Sequence, residues 1–174
     1  MNTQMKKQDH LPLYGVGPLY VYVIGALTLA AFFLRNLPAF SSGQLKGMHT
    51  LLLILGILLL LCGIALWVYA VPISKIDDGI KENRLVTTGA YALVRNPIYS
   101  AAMIVCTGVI LMLGNAWFFF LPFLYWLFMT ALMKATEEKW LGNLYGQEYE
   151  AYCKRVNRCW PWLPKEENRG KISH

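Results

Sequence analysis

Two polar clusters in an otherwise greasy chain hold the residue types that could do chemistry. The first is Asn83-Arg-Leu-Val-Thr-Thr-Gly-Ala-Tyr-Ala-Leu-Val-Arg-Asn-Pro-Ile-Tyr99. The second is Glu137-Glu138, followed by Gly146-Gln-Glu-Tyr149, Tyr152 and Asn157-Arg158. Asn96-Pro97 immediately precedes an apolar run. Asn is a good N-cap and Pro is favoured in the first helical turn, so a helix should start here with its positive end exposed and Arg95 beside it. Such an end would stabilise a small anion, for example an amino-acid carboxylate. The plainer reading is that Asn96 only caps the helix and Arg95 pairs with lipid phosphate. Gly89 permits a tight turn close to a bound group, while Tyr91 and Tyr99 offer ring faces and hydroxyls, or anchor the chain at an interface. Glu137 and Glu138 could bind ribose hydroxyls or an ammonium, or simply open an amphipathic helix whose dipole favours acids.

Other chemistries are poorly provided for. His10, His49 and His174 lie far apart, and Cys62, Cys106, Cys153 and Cys159 show no ligand spacing. Neither a metal site nor a disulfide framework is expected.

The elements that must position the two clusters are membrane helices. The chain has 174 residues, of which 56% are hydrophobic and only 15% charged. That balance favours lipid as the main solvent. Four segments qualify as spans: about Leu19–Leu34, His49–Val71, Ile98–Gly114 and Trp117–Met133. Tyr20 and Tyr22 are candidate interface anchors, and Gly56 and Gly63 a candidate small-residue contact face. Only Gly114, Asn115 and Ala116 separate the last two spans, which should form a tight antiparallel hairpin. A partly re-entrant hairpin is the competing geometry, because both segments are short. Pro122 would fall inside the fourth helix and kink it. The apolar segment after Met1–Leu13 lacks a clear cleavage site and does not read as a signal peptide.

Charge sets the orientation. Of 16 Lys and Arg residues, Arg35 and Lys46 lie between the first two spans and none lies in the hairpin turn. The other 14 fall on the opposite side, which should be cytoplasmic together with both termini. The net charge is +6, but these cations flank spans and form no continuous stripe, so nucleic acid is not an expected partner. Membrane lipids are. Oligomeric state is not legible.

Beyond the hairpin, Ala135–Val156 reads as an amphipathic helix or a broken pair, with Trp140, Leu141, Leu144, Tyr145, Tyr149, Tyr152 and Val156 at helical spacing. Gly146 marks the break. Pro161 and Pro164 then end regular structure, leaving Lys165–His174 as a loose tail. The expected fold is an all-α, polytopic bundle of about four transmembrane helices with a C-terminal amphipathic helix on the cytoplasmic side. It forms a single unit over residues 1–174.

With both clusters quoted, a family likeness becomes visible. LVTTGAYALVRNPIYS, followed about forty residues later by EEKWLGNLYGQEYEAYCKRVNRCWPWLP, resembles the isoprenylcysteine carboxyl methyltransferases and the related membrane phospholipid methyltransferases. The shared pattern is G-x-Y-x-x-V-R-H-P-x-Y, a helical hairpin, then E-E-x-x-L…F/Y-G-x-E-Y-x-x-Y…V-x-R…P. The resemblance implies methyl transfer from S-adenosylmethionine to a lipid-like or isoprenylated acceptor bearing a carboxylate, amine or thiol. It places the cofactor over residues 83–164. Asn83, Arg84, Leu85, Val86 and Tyr91 would line it, Asn96, Pro97, Ile98 and Tyr99 would hold it, and Glu137 or Glu138 would meet it from the other side. Arg95 and Lys134 are the cations expected to act on the reactants. Lys134 is the nearest cation to the place where the family carries an arginine for the acceptor. Asn96 stands where the eukaryotic enzymes have His and cannot take up a proton near neutral pH. Two other readings are an NADPH-dependent membrane reductase and a non-enzymatic transport or structural protein. The first conflicts with the paired motifs, the second with spans that carry no charge.

Overall fold

The computed structural model describes residues 15–73 and 84–161. The head Met1–Leu13, Asn83, Pro164 and the tail Lys165–His174 lie outside the described residues. Seven α-helices are named here: α1 Gly17–Leu34, α2 His49–Val68, α3 Ala90–Leu93, α4 Pro97–Leu113, α5 Leu121–Ala135, α6 Glu137–Tyr145 and α7 Gln147–Arg155. No strand occurs among the described residues, only an isolated bridge between Gln44 and Asn115.

Helices α1, α2, α4 and α5 form the membrane bundle, and α4 is its centre. It packs against α1, α2 and α5, with its closest association to α2. At 17 residues α4 is about 25 Å long, short of a ~30 Å hydrocarbon layer. A central helix tolerates this because its neighbours cover its ends. The other three crossings lie in runs apolar enough to span a membrane: Gly17–Leu34, Lys46–Val71 and Ala116–Tyr145. The last run is broken at Thr136, whose backbone (φ −128°, ψ −86°) leaves helical geometry, so the crossing ends with α5. The outward faces of α1 and α2 are apolar and exposed, as lipid-facing surface must be.

Helices associate in lipid by close packing, not by expelling water. The α2–α4 contact follows that rule. A Cβ on Gly108 would lie 2.7 Å from the Gly56 carbonyl oxygen, and one on Gly63 would lie 2.9 Å from that of Ala101. The backbones touch where the side chains are smallest, and the pairings run antiparallel. Between α1 and α5 the link is polar: the Tyr20 hydroxyl donates to the Tyr125 carbonyl (3.2 Å), and Thr28 and Tyr125 hydroxyls share a 2.9 Å hydrogen bond. Tyr20 is therefore a buried tie between helices, not the interface anchor its position suggested; Tyr22 is exposed.

The hairpin also differs from expectation. Gly114 ends α4 at φ +60°, and a short 3-10 turn over Ala116–Phe118 follows. The fourth crossing starts at Leu121, not Trp117, which puts Pro122 in the first turn of α5. An amide hydrogen is dispensable there, so the expected kink has no cause. The buried Asn115 pins the turn to the loop after α1, donating to the Phe40 carbonyl (2.9 Å).

Two substitutions test this packing by thermal denaturation in detergent. Gly108→Val should destabilise the bundle by about 1–3 kcal/mol through overpacking. Pro122→Ala should change stability by less than about 1 kcal/mol, because no helical hydrogen bond is at stake.

Candidate active site

The up-and-down order brings the start of α1, the end of α2, the start of α4 and the end of α5 to one rim. Both polar clusters therefore meet there, although a 17-residue helix and its return lie between them. The Tyr99 hydroxyl donates to Glu137 Oε1 at 2.8 Å, and an Arg95 guanidinium nitrogen lies 3.2 Å from Glu138 Oε1. Glu137 and Glu138 are neighbours in the first turn of α6, where successive side chains diverge by about 100°. They divide accordingly.

Glu138 is the hub of an ion cluster. Arg158 grips it in a fork, Nε to Oε1 at 2.5 Å and Nη2 to Oε2 at 2.9 Å, while Arg95 approaches from α4's side. The three side chains are mostly buried, so the charges reinforce one another far more than at an open surface. The hydrogen bond from Arg158 to Glu138 raises the guanidinium's already high pKa. Glu137 has different company. Besides Tyr99 it accepts from the Val16 amide (3.3 Å), and both partners are neutral. Burial pushes its carboxyl pKa up, against the opposing pull of those two hydrogen bonds.

The segment after α7 locks this arrangement. Ser100 Oγ donates to the Cys159 carbonyl (2.6 Å) and Asn96 Nδ2 to the Arg158 carbonyl (3.0 Å). Asn157 Oδ1 accepts from the amides of Cys159 and Trp160, curling the chain into a turn beside α4. Asn96 stands at the N-cap position but makes no side-chain cap; its amide holds the C-terminal segment instead. The Arg95–lipid phosphate pairing gives way to Arg95–Glu138. Arg95 also donates to the Cys153 sulfur, and its Nε is buried with no partner among the described residues.

Gly146, at φ +53°, breaks the amphipathic stretch into α6 and α7. This turns Tyr149, Tyr152 and Val156 into a small apolar cluster with Leu85, Leu141 and Tyr145. The Tyr152 hydroxyl donates to the Tyr91 carbonyl (2.6 Å), and burial raises its pKa and that of Tyr149. Gly89, at φ +62°, makes the turn into α3 that carries Tyr91. Val86, Ile98 and Tyr99 are half-buried, Pro97 is buried and Arg84 is exposed. Lys134 sits exposed in the last turn of α5 and makes no ion pair with a described residue. It is not drawn into the cluster. Ser100, Cys153 and the Gly15–Gly17 segment were given no role from sequence, and Asn157 and Arg158 were named only as the end of the second polar cluster. Arg158 carried a signal, the V-x-R of the second motif.

A family model described as phospholipid methyltransferase matches residues 50–148, more than half of the chain. The chain belongs to the phospholipid methyltransferase family. Protein-S-isoprenylcysteine O-methyltransferase from Schizosaccharomyces pombe is 36% identical over 88 residues. That stretch is 48% of this chain and 36% of the yeast protein, so the chain spans little more than a third of this curated relative's length. No solved structure matches the chain. Arg95, Tyr99, Glu137 and Glu138 fall inside the family match, whereas Arg158 and all of α1 fall outside it.

The division of labour between the glutamates is measurable by thermal denaturation. Glu138→Gln leaves two mostly buried guanidinium groups without their counter-charge, which should cost about 3 kcal/mol. Glu137→Gln keeps an acceptor for two neutral donors and should cost about 1 kcal/mol or less.

Proposed function

We propose that the protein transfers a methyl group from S-adenosylmethionine to a lipid-like or isoprenylated acceptor at the cytoplasmic face of the membrane. The observation that carries this reading is the meeting of Arg95 and Tyr99 with Glu138 and Glu137 across the hairpin. Family membership and the likeness to an isoprenylcysteine methyltransferase support it. So does the charge count, which assigns 14 of 16 Lys and Arg residues to the side expected to be cytoplasmic, the side of both motif halves.

The residues present suit such a cofactor. Arg95 Nε and the Tyr145 hydroxyl are buried polar groups without partners among the described residues, ready for the acceptor atoms of a ligand. Arg95 would take the carboxylate of the methionine part and Glu137 a hydroxyl or cationic group. Leu85, Val86, Tyr91, Pro97, Ile98 and Tyr99 would supply walls and ring faces. Asn83 and Arg84 complete the set taken from the motif, within a cofactor part of about residues 83–164 in a single functional domain. When bound, S-adenosylmethionine supplies an electrophilic methyl group on sulfur. The protein's own task is then to align that methyl with the acceptor and to exclude water. Asn96 offers no base and its amide is engaged with the Arg158 carbonyl, so a carboxylate or thiolate acceptor must arrive ionised. Lys134, exposed where α5 ends, is the cation available to an anionic acceptor entering from the lipid side.

Calorimetry on detergent-purified protein tests the reading. S-adenosylmethionine should bind and NADPH should not, and Glu137→Gln should weaken binding by about tenfold or more without loss of folding. Binding of NADPH alone would overturn it. Labelled donor offered with isoprenylcysteine or with phospholipid vesicles should then label one of them.

A further inference from the structure

The start of α1 lies outside the family-matched region, yet it touches both members of the Tyr99–Glu137 pair. The Val16 amide donates to Glu137 Oε1 (3.3 Å). Gly17 is buried beneath the Tyr99 ring: a Cβ there would collide with the ring and its hydroxyl. A Cβ on Gly15, at φ +41°, would sit 2.5 Å from Glu137 Oε1. One turn further on, Tyr20 packs edge-on against Tyr99, ring centroids 6.0 Å apart. Three consecutive residues thus fit around two side chains brought from α4 and α6.

We infer that Gly15, Val16 and Gly17 are positioning residues of the site, holding the Tyr99 ring and the Glu137 carboxylate in register through two side-chain-free contacts and one backbone hydrogen bond. The geometry explains why the residues at 15 and 17 are both glycine. Gly17 gives the ring room to lie across the first turn of α1, and that placement aims the hydroxyl at Oε1. Gly15 supplies a left-handed backbone conformation that other residues adopt at a cost, and it leaves the carboxylate unobstructed. Gly25, on the exposed face of the same helix, has nothing within 4 Å of its Cβ position, so the crowding at Gly15 and Gly17 is not shared by every glycine of this segment. The first span is then a third wall of the site, in addition to the two motif halves.

This inference rests on the proposed function only for its affinity readout. Two measurements on the full chain in detergent test it: calorimetry with S-adenosylmethionine, and hydrogen–deuterium exchange at the Val16 amide. Gly17→Ala should lower affinity at least about tenfold and release the Val16 amide to exchange about as fast as in Glu137→Ala. Gly63→Ala is the matched control: it crowds Ala101 and Val105 in the α2–α4 contact, so it should lower stability while leaving affinity and Val16 protection intact. Gly17→Ala with unchanged affinity overturns the inference, and so does equal loss of affinity in Gly63→Ala. If the wild type binds no S-adenosylmethionine, the proposed function fails and the exchange data decide alone. A Val16 amide that exchanges as fast in the wild type as in Glu137→Ala then sinks the inference.

Discussion

A single carboxylate, Glu138, joins what the membrane hairpin separates. Arg95 reaches it from the residues just before α4, and Arg158 grips it from the segment after α7. Neither guanidinium could be kept this far from water without a counter-charge, and the carboxylate could not be buried without them. Because the three charges must assemble together, α6, α7 and the C-terminal turn are drawn onto the start of α4. That assembly leaves Glu137 facing the other way, toward Tyr99 and the first turn of α1. The polar rim is therefore consistent with a bundle whose interior is built from glycine contacts and hydroxyl ties, since no charged group is needed deeper in the membrane.

The two glutamates show how adjacent identical residues acquire different work. Glu138 is neutralised by two arginines and fixes structure. Glu137 has only neutral donors for partners among the described residues, burial pushes its pKa up, and in the proposed function it is the glutamate that meets the ligand. In the proposed function a soluble donor and a greasy acceptor would meet at this helix-end rim, where the Tyr99–Glu137 pair lies.

Much of this was legible in the residues. The apolar runs gave four crossings, Gly56 and Gly63 gave a contact face, and Gly146 gave the break between α6 and α7. The two motifs gave a common rim, because spans of alternating direction must return there. What was not legible depends on tertiary contacts that no local pattern encodes. Pro122 looked like a kink because apolar composition runs continuously back to Trp117; only the helix start at Leu121 makes it harmless. Asn96 looked like a cap, but a carbonyl sixty-two positions away offers its amide a better partner. Tyr20 looked like an interface residue, and its burial follows only from where α4 and α5 stand. Lys134 was placed only as the cation nearest to where the resembling family carries an arginine, and the fold leaves it exposed outside the ion cluster.

The central claim is that the two motif halves act on a ligand as one site through the Tyr99–Glu137 contact. A double-mutant cycle on S-adenosylmethionine affinity tests it most directly, using Tyr99→Phe, Glu137→Gln and the pair together. The account predicts strong non-additivity, with a coupling of about 1 kcal/mol or more, because either change alone removes the same interaction. Strictly additive losses, or a Tyr99→Phe variant that binds as the wild type does, would contradict it.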